Sequence, residues 1–345
     1  MDSLLLEKLY FPGLPNLPEL VLRGFLGESD FPKMLAVISG SKLADGAERS
    51  DKLENIVNTY AHLHNSDPYN DMLFAEVDGQ VVGYCRVWWE IDLYSQQWTG
   101  FQIAFLLPEW RGKGIGSTFL NFIEQRLEQI AAELKARGEV PAEMPCATDV
   151  FVNETACDTI ALLERRGYQA VRYAFEMVRP DLENIPDYPL PPGLEVHSYQ
   201  PEHLRQIWEA SNEAFQDHWG YIPEPWEEYE RMQQDADFDP SLWRVAWDGD
   251  QIAGMVLSFI DKAQNAEYGR KRGYTENICV RRPWRHRGVA HALIALAQKA
   301  VKERGMTEAA LGVDAQNLSG ALRLYQHMGY QVVKRSTIYR KMLSG

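Results

Sequence analysis

The sequence predicts two tandem α/β domains, each a mixed, mostly antiparallel sheet flanked by helices. Three observations predict this: the length, one proline-rich break, and a series of signals that occurs once on each side of that break. At 345 residues the chain is long enough to build two separate cores. Prolines crowd the span Arg179–Gly193, which can continue neither a helix nor a central strand. It therefore reads as a linker over 180–193, between an N-terminal domain at 1–179 and a C-terminal domain at 194–345.

The repeated series starts with a hairpin. Leu73–Val77, the turn Asp78-Gly79 and Val81–Trp89 match Trp243–Trp247, the turn Asp248-Gly249-Asp250 and Ile252–Ile260. Asp-Gly between apolar runs favours a tight turn, because both residues tolerate left-handed backbone. A further strand follows, Phe101–Leu107 or the flanks of Ile278–Val280. Each strand enters an Arg- and Gly-rich turn and then an amphipathic helix. Phe119, Phe122, Ile123, Leu127, Ile130 and Leu134 recur at helical spacing in one copy, and Leu293, Ile294, Leu296, Ala297, Ala300 and Val301 in the other. Both copies close with a strand, a helix and a Gly-Tyr pair, Gly167-Tyr168 or Gly329-Tyr330. The turn glycines are spaced further apart than these pairs, which places a longer helix-to-strand connection in copy one, around Arg137–Pro145.

The turns read Arg111-Gly112-Lys113-Gly114-Ile115-Gly116 and Arg285-His286-Arg287-Gly288-Val289-Ala290. Both fit R-x-x-G-x-(G/A) between a strand and a helix. A helix N-terminus presents unpaired N–H groups and the positive end of its dipole, which suits an anion such as a phosphate. Glycines let the backbone come close to it, and Arg or Lys adds charge. A Walker loop needs Ser or Thr after Gly-Lys, and a dinucleotide fingerprint needs GxGxxG; neither is present.

Strand, R-x-x-G-x-(G/A), helix, strand, and helix ending in Gly-Tyr resembles the GCN5-related N-acetyltransferase (GNAT) family, over both halves of the chain. The resemblance implies coenzyme A with its pyrophosphate on the turn. It also implies a pantetheine arm beside the preceding strand, at Ile278, Cys279 and Val280 in copy two, and acetyl transfer from acetyl-CoA to an amine. No metal is implied.

That transfer needs a base for the amine proton, an N–H for the oxyanion and an acid for the leaving thiolate. Glu276, nine residues before Arg285, is the candidate base, and strand alternation puts it on one face with Ile278 and Val280. In the resembling family a tyrosine in Asn-x7-Tyr-x3-Gly protonates the thiolate; this chain has Asn317, Tyr325 and Gly329, with Asn317 either touching the coenzyme or capping its helix. The same offsets in copy one give Gln102, Leu163 and Thr155, so copy two is expected to be catalytic and copy one to bind coenzyme or be structural. Glu90 or Asp92 is the substitute base that copy one has to offer. The acceptor amine, most simply a small molecule, is expected at Phe215–Glu228. His218, Trp219 and Tyr221 form an aromatic lid there, and Asp217, Glu224 and Glu227 attract an ammonium.

A net charge of −14 excludes a basic nucleic-acid or anionic-membrane binder. Cys85, Cys146, Cys157 and Cys279 have neither zinc nor CxxC spacing and read as reduced thiols in a cytoplasmic protein, and the pair His62 and His64 has no cysteine near it. Asp2 and Glu7 flank the apolar run Leu4–Leu6, unlike a signal peptide, and no stretch approaches the roughly 20 apolar residues of a membrane span. The competing reading is a non-catalytic acyl-CoA-binding or sensing protein. Two others keep the chemistry, with a larger acyl donor or with protein N-termini as acceptors.

Overall fold

The computed structural model describes residues 17–235, 237–316 and 320–344. It divides into two compact units: the described residues up to Val171 with those from Ser336 on, and Arg172–Arg335.

The first unit contains β1 (Leu20–Arg23), α1 (Phe31–Lys42), α2 (Leu53–Ala61), β2 (Met72–Val77), β3 (Gln80–Asp92), β4 (Gln97–Leu106), α3 (Ile115–Ala136), β5 (Cys146–Asn153) and α4 (Cys157–Arg165). The β2–β3 hairpin turns on Asp78 and Gly79, both left-handed at φ 50° and 74°, as the Asp-Gly signal requires. Its strands pair antiparallel in the order β1-β2-β3-β4, and β4 pairs parallel with β5. Phe119, Phe122, Ile123 and Leu127 of α3 are buried in the core with Leu73, Phe74 and Trp98 of the sheet. The connection after α3 is longer than its counterpart, 137–145 against 304–307, and α3 itself has 22 residues where the matching helix has 15.

β6 (Gln169–Arg179) leads into the second unit: β7 (Glu195–Val196), α5 (Leu204–Phe215), α6 (Trp226–Met232), β8 (Arg244–Asp248), β9 (Gln251–Phe259), α7 (Lys262–Glu267), β10 (Arg272–Val280), α8 (Val289–Glu303), β11 (Glu308–Asp314) and α9 (Ala321–His327). The strands β7, β8, β9 and β10 pair antiparallel, and β10 pairs parallel with β11. Alternate residues feed two cores. Val256 and Leu311 join Val289, Leu293 and Ala297 of α8, whereas Met255 and Leu257 join Leu204, Ile207 and Ala214 of α5.

The boundary differs from the one read in the sequence, and the reason is strand pairing. β6 bonds antiparallel to β11 through Ala174–Arg179, which assigns it to the second unit. The last strand, β12 (Gln331–Met342), bonds antiparallel to β5 through Ser336–Met342, which assigns the chain's end to the first. Nor is 180–193 a free linker. Leu182 is buried, and Ile185, Tyr188 and Leu190 pack on the α8 core. Arg179, also buried, ties the segment down by donating to the carbonyls of Asp181, Asn184 and Met328, each at 2.8 Å.

β12 is held in the first unit by Arg340, whose guanidinium makes two 2.7 Å bonds to the buried Asp149 carboxylate. Arg340→Ala leaves that charge uncompensated and is expected to cost about 3 kcal/mol. A lower denaturant midpoint for the first unit, followed by tryptophan fluorescence, checks this.

Candidate active site

The site in the second unit begins with a failure of pairing. β10 and β11 are bonded as parallel neighbours only from Arg272↔Glu308 to Tyr274↔Ala310. Beyond that point a bulge interrupts the register of β10 against β9: Glu276 faces Leu257, but Cys279 faces Met255. Two residues therefore share one partner, and Asn277 takes left-handed backbone at φ 47°. The extra residue is left outside the ladder of β10 with β9.

The bulge corrects the expected alternation. Glu276 and Cys279 lie on the α5 side with Leu257 and Met255, whereas Ile278 and Val280 pack on the α8 core. Glu276 reaches across the parting and accepts the N–H of Gly312 at 3.0 Å. Burial pushes its pKa up to about 7, and the negative charge of Glu176 adds to the rise. Tyr325 is buried on α9, edge-on to Tyr330 at 6.2 Å. Its hydroxyl is held in the protonated form, first by burial and then by the charge of Glu276. Asn317 lies outside the described residues.

Gly288 caps α8 at φ 86°, and His286 is also left-handed at φ 61°. Left-handed residues at alternate positions turn successive N–H groups to one side, a concave anion site. Arg287 is exposed beside it. Val289 is buried in the α8 core and Ala290 half-buried. Arg285 folds back instead: it donates to the carbonyls of Val280 at 2.9 Å and Ala214 at 3.0 Å and to Asp217 at 2.9 Å. Asp217, read from the sequence as attracting an ammonium, is paired with Arg285 and Arg282, and its pKa is held well below the usual range by their hydrogen bonds.

Of the lid residues, the His218 ring meets Phe215 at 4.7 Å, and burial lowers its pKa. Trp219 lies under the Arg172 guanidinium at 5.1 Å, and Arg172 grips Asp314 at the end of β11 with bonds of 2.9 and 2.6 Å. Tyr221 sits apart, its hydroxyl 3.5 Å from Asn212. Burial raises the pKa of Glu224, and Glu227 is exposed.

The first unit repeats the frame with other residues in it. β4 and β5 pair from Trp98↔Cys146 to Phe101↔Asp149 and then part. Gly112 and Gly114 are left-handed at φ 71° and 93°, and Gly114 caps α3 at Ile115. Lys113 lies over the Trp110 ring at 4.4 Å. Arg111 folds back like Arg285, onto the Leu106 carbonyl and onto Asp45 at 2.7 Å. Between the parted strands is a cavity of about 800 Å³, lined among others by Gln102, Phe105, Gly114, Gly116, Phe151 and Leu163.

β4 is paired without a bulge from Gln97 to Leu106. Gly83 and Gly254 occupy matching places on β3 and β9, opposite Leu106 and Val280. Counting back from there, the residue opposite Arg86 is Ile103, at the place where Glu276 faces Leu257. Gln102 thus matches Thr275, not Glu276. Both support the final tyrosine: Gln102 bonds Tyr168 at 3.2 Å, and Thr275 bonds Tyr330 at 2.8 Å. The substitute bases are committed elsewhere. Asp92 is buried and accepts from the Tyr94 and Ser95 amides, Glu90 takes His64 and Asn65, and neither lines the cavity. His62 bonds the Asn58 carbonyl, and among the described residues no three His, Cys, Asp or Glu side chains are grouped to hold a metal.

Two family matches fall on these two units. Residues 68–170 match the acetyltransferase (GNAT) domain, and residues 204–330 match the acetyltransferase (GNAT) family. The chain belongs to the GNAT family and is a tandem, two-domain acetyltransferase. It is 24% identical over 309 residues to the mycothiol acetyltransferase of Geodermatophilus obscurus, covering 86% of this chain and 89% of that one. The enzyme of the same name from Acidothermus cellulolyticus is 24% identical over 92% of this chain and 93% of its own. Among solved structures, a GCN5-related N-acetyltransferase from Sphaerobacter thermophilus superposes with a TM-score of 0.70 at 27% identity, over 95% and 97% of the two chains. A tandem GNAT protein of the clavulanic acid pathway shares the fold, with a TM-score of 0.64 at 12% identity over 95% and 99%. No helix among the described residues is long and apolar enough to cross a membrane.

The turns make a direct expectation. Glu at Gly288 or Gly114 puts a carboxylate on the anion site and strains left-handed backbone by about 1–2 kcal/mol. Calorimetric titration of acetyl-CoA should show binding lost at the substituted turn only, with the other unit's stoichiometry kept.

Proposed function

We propose that the second unit transfers the acetyl group of acetyl-CoA to a primary amine of a small molecule, and that the first unit holds coenzyme A without reacting. One observation carries this reading: the Glu276 carboxylate stands at the parting of β10 and β11, bonded to the Gly312 amide, and the matching place in the first unit is Ile103.

The left-handed turn at His286 and Gly288 and the parted strands suit a pyrophosphate and an extended arm, and the same holds at Gly112 and Gly114. When bound, coenzyme A supplies the acetyl thioester. The chain's own groups do the rest. Glu276 takes the proton of the acceptor amine, the amide freed by the bulge bonds the carbonyl oxygen, and Tyr325 gives a proton to the departing sulfur. Arg285 positions the turn from behind, and Arg287 adds charge in front. Trp219 and His218 cover the acceptor side next to Asp314.

Similarity to enzymes named mycothiol acetyltransferases makes mycothiol chemistry the first place to look for the acceptor. We place the protein in the cytoplasm, where thiols such as Cys85 and Cys279 stay reduced.

A base must be ionised to act. With Glu276 titrating near 7, kcat/KM is expected to fall about tenfold per pH unit below neutrality and to level off above it. Glu276→Gln should remove that limb and lower kcat by roughly 10²–10⁴, and Tyr325→Phe should lower kcat by at least about tenfold with KM for acetyl-CoA little changed. Thiol release from acetyl-CoA across a panel of primary amines reads all three. Full activity in either variant removes that residue from the mechanism.

A further inference from the structure

Opposite Glu276 the sheet presents a second carboxylate that the proposed mechanism does not use. Glu176 on β6 is the direct cross-strand partner of Gly312 on β11, and Gly312 is the residue whose amide Glu276 holds from the other side at 3.0 Å. The two carboxylates thus flank one residue of the strand between them.

That residue has no side chain, although neither backbone nor packing demands this. Gly312 is not among the left-handed glycines, and a Cβ there would meet only the Glu276 oxygen, at an ordinary 3.9 Å. With no side chain at Gly312, none stands beside the Glu276 carboxylate on that strand position. The next residue back on the same face, Ala310, is also small.

Glu176 is countered by two cations, one of them from the strand of Glu276 itself. Arg272 donates to it at 2.9 Å while also bonding Glu308 at 2.7 Å, and the Lys334 ammonium is 3.9 Å away. We propose that Glu176 is a positioning residue that sets the charge state of Glu276, and that Arg272 and Lys334 set how strongly it does so. This rests on the reading of Glu276 as the base.

The other groups around Glu276 do not compete for this role. Tyr325 on α9 and Tyr330 at the start of β12 are held protonated by burial, and so is the Cys279 thiol. On its own strand, Tyr274 is bonded to Gln264 and Arg270. Glu308 is taken up by Arg272, and Asp314 by Arg172. Glu176 is the like charge that raises the pKa of Glu276 after burial itself.

The test reads Glu276 directly and needs no acceptor. Full-length protein carrying ¹³C-labelled glutamate side-chain carboxyls is titrated by NMR, with the Glu276 signal assigned by its loss in Glu276→Gln. Glu176→Gln removes the repulsion and should lower the Glu276 midpoint by about half a pH unit. Lys334→Met removes part of the counter-charge and should raise it by a similar amount. Equal midpoints in all three proteins, or shifts in the same direction, overturn the proposal. If Glu176→Gln fails to fold, Lys334→Met decides alone. Opposite shifts in a protein that releases no thiol from acetyl-CoA would uphold the coupling and remove Glu276 as base. An active protein with unmoved midpoints would remove only Glu176.

Discussion

In each unit two neighbouring parallel strands stop bonding to each other partway along, and what the protein can hold depends on that. Backbone amides and carbonyls need partners, so a sheet does not part without a substitute. The parting ends at a turn whose helix N-terminus has its own unpaired amides. An extended ligand with a phosphate at one end can satisfy both. The folded-back arginine keeps the geometry the same in both copies: Arg111 and Arg285 each bond the carbonyl at the end of the preceding strand and an acidic residue from an earlier segment.

The copies differ first by one inserted residue. β10 bulges at Asn277 and has Glu276 opposite Leu257, whereas the unbulged β4 has Ile103 at that place. The bulge is one of the local differences between the two sites; Leu163 standing at the offset of Tyr325 is another. The turn is alike in the two units and the strand before it is not, and the two features are built from different local backbone.

The duplication, the hairpins and both turns were legible because they depend on local chemistry: Asp-Gly turns, helical periodicity, and Arg- and Gly-rich strand ends. Glu276 was reached by counting back from Arg285, and Tyr325 by the spacing it shares with the resembling family. Counting nine residues back from each arginine also put Gln102 opposite Glu276. The bulge shifts that count by one, and an asparagine in an apolar strand is a weak sign of a bulge. Proline composition marked 180–193 as a break but could not show Leu182 and Tyr188 packing on α8. Strand ownership was invisible, since pairing of β6 with β11 and of β12 with β5 is decided by contacts far apart in sequence.

That last feature bears on how the chain is made. A growing polypeptide usually folds its leading domain first, while the remainder is still being synthesised. Here β5 receives its antiparallel neighbour from Ser336–Met342, which emerges only after all of the second unit. Throughout that interval β5 presents an unpaired edge, the kind of template on which chains aggregate. The first half must therefore wait, partly assembled, for the last strand to reach it.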